Sequence, residues 1–141
     1  MADRQRGSVL MLMPAAVLVF LVLGALCVDY GGAFVAQRQL NNAAAAAAND
    51  AAVRSLDLQH YYDTGEVRLL RDQAFAVAEA SVAAKGLDHL GAFVDDVQVV
   101  GTTVTVLVRG RASYIFARAV PGGIDGIDVH ASARAEAAES P

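Results

Sequence analysis

Residues 8–28 read SVLMLMPAAVLVFLVLGALCV and hold no charged side chain. As an α-helix rising about 1.5 Å per residue, the stretch reaches roughly 30 Å, enough to cross the hydrocarbon core of a bilayer. A helix that is apolar on every side must be buried in protein or in lipid. A chain of 141 residues leaves beyond this stretch enough residues for a small domain, with modest burial. The rest of the molecule therefore hangs from a helix that spans a membrane, or one that is cut away as an export signal.

Several features favour a retained anchor. Arg4 and Arg6 precede the run and Asp29 follows it. A short basic start before an apolar run also opens a secretory signal. Here, however, the run exceeds an ordinary signal core, and Gly24-Ala25-Leu26 is a poor small-x-small cleavage site. The chain also continues as helix-forming sequence. A lipoprotein reading of Cys27 fails because Leu26 before it is bulky, and a lone cysteine makes no internal disulfide. The arginines hold the N-terminus inside the cytoplasmic membrane and send the C-terminal part outside. Pro14 is read either as a tolerated membrane proline or as a hinge.

The expected organisation has a basic leader at 1–7, a transmembrane helix at 8–28 and an alanine-rich helical extension at 29–57. An extracytoplasmic α+β domain at 58–136 and a loose tail at 137–141 complete it. Net charge is −4 with both leader arginines counted, so the outer part is more acidic still. Nucleic acid is excluded as a partner, because phosphate binding needs a basic surface.

Tyr30 suits the headgroup layer, and Gly31-Gly32 lowers helix propensity and marks a flexible point. Helix resumes over 33–54, with an unbroken alanine run at 43–48. Its small side chains suit either a plain helical spacer or a packing surface among like helices.

These N-terminal pieces, taken in order, carry a resemblance. Arg6-Gly7, the apolar run, Val28-Asp29-Tyr30-Gly31 and then Arg38-Gln39-Leu40-Asn41-Asn42-Ala43-Ala44 resemble the TadE/TadG-like proteins of the tight-adherence (Flp) pilus system, over about residues 6–54. The resemblance implies a minor pseudopilin-like or accessory protein with a membrane helix and an exported domain. It also implies partners among other pilin-like or Tad-apparatus membrane proteins, besides the lipid bilayer. Prepilin-type cleavage would fall between Gly7 and Ser8. Processed relatives carry glutamate five residues past the cut, where this chain has Leu12. The expectation is therefore an uncleaved, TadG-like protein. On this reading Asp29, Gly31, Gly32, Arg38, Asn42, Ala43 and Ala47 are candidates for helix packing and assembly. Asp29 is either a water-facing boundary residue or a register contact with a basic group on a partner.

Residues 57–64, DLQHYYDT, read as a connection. Residues 66–85 read as a helix ended by Gly86. Leu70, Ala74, Val77 and Ala84 share one face of it, and Arg68, Arg71, Asp72 and Glu79 the other. Phe75 and Val82 fall on the polar side, either covered by a neighbouring segment or free to contact a partner. From Phe93 the period becomes two. Val97 and Val99, then Val104, Val106 and Val108 across a Gly101-Thr102 turn, form a hairpin pattern. Ile127, Val129, Ala131, Ala133 and Ala135 form a third strand. Residues 113–120 between them are either strand continuation or a short helix, with Tyr114, Ile115 and Phe116 as a bulky cluster. Tyr114 and Phe116 join Phe75 and Val82 as candidates for a partner surface. The layout is α+β: a long transmembrane helix, a second helix and a small antiparallel sheet of about three strands. The resemblance makes it pilin-like.

No chemistry-bearing constellation emerges. His60, His89 and His130 have no metal-ligand spacing, Asp95-Asp96 reads as solvated, and 121–126, PGGIDG, is a turn rather than a phosphate loop. Neither Ser113 nor Ser132 has an activating partner. No enzyme activity, cofactor, metal or small-molecule substrate is expected. The expected function is structural, in assembling a tight-adherence pilus or related secretion apparatus, with or without a place in the filament. The alternative is a membrane-tethered extracytoplasmic binding module.

Overall fold

A computed structural model describes the backbone of residues 6–137 and the side chains of residues 12–137. Arg4 and the leader before residue 6 lie outside the described residues, as does the tail from 138 on.

The first helix, α1 (Arg6–Arg54), is continuous over 49 residues. At about 1.5 Å per residue it measures roughly 70 Å. Gly31-Gly32 is helical, so the pair does not interrupt the rod that the apolar run and its extension form together. Helical sequence on both sides carries the hydrogen-bond ladder through the pair, and a Cβ at either position would meet open space. Pro14 also lies inside the helix.

Beyond residue 54 the chain turns sharply. Ser55 donates its amide and its hydroxyl to the Ala51 carbonyl. Residues 58–64 are not a simple connection but a short helix, α2 (Leu58–Thr64), capped by the Asp57 carboxylate on the His60 amide and closed by left-handed Gly65. The chain then returns antiparallel, with Asp57 donating to Arg68 and Leu70 to Ser55 across a Leu56–Leu69 bridge. That pairing holds residues 66–70 extended, so the next helix, α3 (Arg71–Ala83), starts later than its sequence suggests. It stops at Ala83, and Gly86 adopts positive φ just beyond.

The sheet is a three-stranded antiparallel meander, β1 (Phe93–Val100), β2 (Thr103–Ser113) and β3 (Gly126–Glu136), in the order β1-β2-β3. A bulge at Asp95 lets Val94 and Val97 point to the same face although they stand three positions apart. Val97, Val104, Val106 and Val108 are fully buried. Outer-facing positions carry Thr105, Arg109, Arg111, Asp128 and His130, so only one face is covered.

The cover is α1 over β2 and β3, with α3 over β1. Ala36, Leu40, Ala43, Ala44, Ala47, Ala48, Ala51 and Ala52 make up the buried stripe of α1. Alanine lets the helix backbone settle onto the valine face, where larger side chains would hold it off. Leu40 is the exception and is 0% exposed. It fits over Gly110 of β2, where an added Cβ would stand 3.3 Å from its nearer methyl. Ala43, Ala44, Ala47 and Ala48 of the alanine run are thus spent in the protein's own core, while Ala45 is exposed on the other side of the helix.

In α3 the buried residues are Ala74, Ala78, Ser81 and Val82, a stripe rotated from the expected one. The helix lies against both α1 and β1, so a wider face is covered than a single neighbour would demand. Ser81 donates to Asp50 on α1 at 2.6 Å. Val82, 3% exposed, is therefore not available to a partner, and Phe75 is half-buried against the same core.

Candidate functional site

At residue 29 the apolar run of α1 ends. Asp29 sits where a carboxylate would be expected to face water, yet it is 6% exposed. Its Oδ1 accepts from the amides of Ile115 at 2.7 Å and Phe116 at 3.1 Å. Its Oδ2 accepts from Phe116 at 3.2 Å and Ala117 at 2.7 Å. Three successive N–H groups converging on one anion form a backbone nest. The short 3-10 turn at Ala117–Ala119 begins there. Burial alone would raise the Asp29 pKa; the three amide donors outweigh it and hold the carboxyl below its ordinary value.

The loop that supplies the nest joins β2 to β3 and is compact. Tyr114 donates to the Asp125 carbonyl at 2.9 Å, closing its two ends. A Cβ on Gly123 would overlap the Ala117 carbonyl oxygen, and one on Gly126 would overlap that of Ala112. Only glycine permits the chain to fold back so tightly. The Asp29 nest is thus an internal latch between α1 and the far loop of the sheet. It corrects the reading of Asp29 as a water-facing boundary residue, since its carboxylate is held by this chain's own backbone amides. Backbone donors leave no mark in a sequence. The only local signal was an acid at the end of an apolar run.

The other assembly candidates divide. Ala43 and Ala47 are buried under the sheet, while Gly31, Gly32, Arg38 and Asn42 are exposed on α1. Phe34, Arg38 and Asn42 follow one another at helical spacing on an exposed face, and Gly31, one turn earlier, borders a pocket shared with Ala112 and Ser113 of β2. Of the loop candidates, Tyr114 is buried and Phe116 is 46% exposed. Gly7 and Ser8 lie within the first turn of α1, and their side chains are outside the described residues.

An open groove of about 600 Å³ runs over the outer face of the sheet, past Leu107, Arg109, Arg111, Asp128 and His130. Its cations are balanced: Arg109 pairs with Asp95 at 2.9 Å, and Arg111 stands opposite Asp128 in the strand register. Among the described residues, no group of three or more His, Cys, Asp or Glu side chains is placed to hold a metal ion.

Among the described residues, α1 is the one helix long and apolar enough to cross a membrane. No curated protein and no solved structure matches the chain. A family model described as putative Flp pilus-assembly TadE/G-like matches residues 7–54, the extent of α1 almost to the residue. By this N-terminal segment the chain is similar to the TadE/G-like proteins of Flp pilus assembly.

Proposed function

We propose that this protein is a structural, single-pass component of a tight-adherence (Flp) pilus apparatus. Its N-terminus lies in the cytoplasm and its α+β domain outside. The observation that carries the reading is the coincidence of the TadE/G-like match with the helix that is first apolar and then packed on the sheet. The mechanism is subunit contact rather than catalysis. Because Ala43 and Ala47 are spent on the internal core, the surface of α1 offered to other subunits is the free stripe of Gly31, Phe34, Arg38 and Asn42, together with the apolar half below it. Small residues such as Gly24 and Gly31 allow close helix approach in and near lipid.

The test is affinity purification of the full chain from the membranes of cells that make it, followed by mass spectrometry. Co-purification of pilin-like or Tad-apparatus proteins supports the reading. Their absence, with the protein intact and membrane-bound, would favour a tethered binding module instead. Intact mass from the same sample reports processing. Loss of residues 1–7 would move the protein towards a true minor pilin despite Leu12.

A further inference from the structure

We propose that residues 114–124 form a second membrane contact, seated in the headgroup layer of the bilayer that α1 crosses. The proposal rests on the reading that residues 8–28 span that bilayer. Asp29 is the first residue past the apolar span, and its carboxylate binds the amides of Ile115, Phe116 and Ala117 directly. The loop is thereby held at the level where the helix leaves the lipid. The interfacial layer extends roughly 5–8 Å beyond the hydrocarbon core on each side. A loop latched to the first residue outside the span falls within it.

The side chains suit that place. Ile115, Phe116, Val120, Ile124 and, at the adjoining start of β3, Ile127 are all exposed. For a domain surrounded by water this would be an unexplained apolar patch. Arg118 is the only charged residue between 114 and 124, and a long basic side chain reaches up to lipid phosphates from such a position. The amides that would otherwise face the lipid boundary unpaired are satisfied by Asp29, which meets the requirement that backbone polar groups near lipid find internal partners. Tyr30, exposed on α1 beside the latch, has the amphipathic ring favoured at the same depth. The occupant is therefore lipid, held by continuity with the span. Two contacts, helix and loop, fix the tilt of the domain over the membrane.

The chain has no tryptophan, so a single introduced indole reports on its own surroundings. Full-length Phe116→Trp and, separately, Ile124→Trp are reconstituted into phosphatidylethanolamine–phosphatidylglycerol vesicles. The lipids carry bromine near the headgroup end of their acyl chains. Val100→Trp, at the end of β1 and at the far end of the sheet from the loop, about 30 Å away by strand rise, and Phe20→Trp, within the span, serve as references. The expected result is a blue-shifted emission for the two loop probes and loss of most of it in brominated vesicles, with Val100→Trp unaffected. Loop probes that stay unquenched by bromolipid and open to aqueous iodide, while Phe20→Trp is quenched, would overturn the loop contact and leave the anchor standing. If Phe20→Trp also escapes quenching, both readings fall together.

Discussion

Asp29→Asn keeps the shape of the side chain and removes its charge. An asparagine offers one acceptor where the carboxylate has two, and turns its NH2 group towards an amide that also donates. The substitution should release Ile115, Phe116 and Ala117 from protection, seen as faster hydrogen exchange at those amides with the β2–β3 ladder unchanged. The acid dependence has a definite sign. The carboxyl is held below its ordinary value in the folded protein, so the latch stabilises fully above the ordinary carboxylate range. It is lost as pH falls through the lowered value. Protection of the same three amides, taken relative to the intrinsic exchange rate at each pH, should therefore fall in acid, and in Asp29→Asn that loss of protection with pH should disappear. Leu40 behaves differently, because it acts by volume alone. Leu40→Ala leaves a void over Gly110 and should cost about 2–5 kcal/mol in denaturant unfolding of the full chain in mild detergent.

At the scale of the element, α1 is one helix with two solvents. Its described side chains from residue 12 to residue 28 are exposed on all sides apart from half-buried Ala25, and its second half is buried along one stripe. The glycine pair between the halves invites a hinge on propensity alone, yet both residues are helical with open space around them. Replacing Gly31 and Gly32 with alanine should therefore raise thermal stability, by about 0.5–1 kcal/mol for each. A loss of stability would show that the glycine pair is needed for something other than helix continuity. If the close-packing reading is right, the same variant should co-purify less pilus apparatus while being more stable. Arg38→Ala and Asn42→Ala probe the same face without touching the core. Their stability should stay within about 0.5 kcal/mol of the parent, and partner recovery should fall. The short elements were less legible. Residues 58–64 are too few to show a helical period, and α2 is set by the Asp57 cap and the return pairing of Leu56 with Leu69. The rotated face of α3 follows from its two neighbours, which no pattern within α3 specifies.

For the whole molecule, the single buried face of the sheet makes the helix part of the domain. Removing residues before about 36 should leave a foldable unit, because the buried stripe of α1 begins there. Truncation beyond residue 52 should instead leave the valines of β1 and β2 uncovered and give an aggregated or molten product, read by loss of dispersed NMR signals. The exposed apolar loop lies at one end of the sheet, and the outer face of the sheet is polar.

The periods in the chain determined a great deal unaided: the apolar span, the helix that continues it and three strands of alternating valine and alanine. These are local properties, since burial in lipid or against one neighbour imprints itself on residues three to four apart in a helix or two apart in a strand. What only the tertiary structure decided was which surfaces meet. The alanine run could have faced another subunit; it faces the sheet because Gly110 and the valines leave a shallow surface that only small side chains and one leucine fit. Asp29 could have faced water; it faces Ile115, Phe116 and Ala117 because the β2–β3 loop returns to the end of the apolar run. Contacts between residues more than 80 positions apart, and made through backbone amides that every residue carries, leave no pattern in the order of side chains.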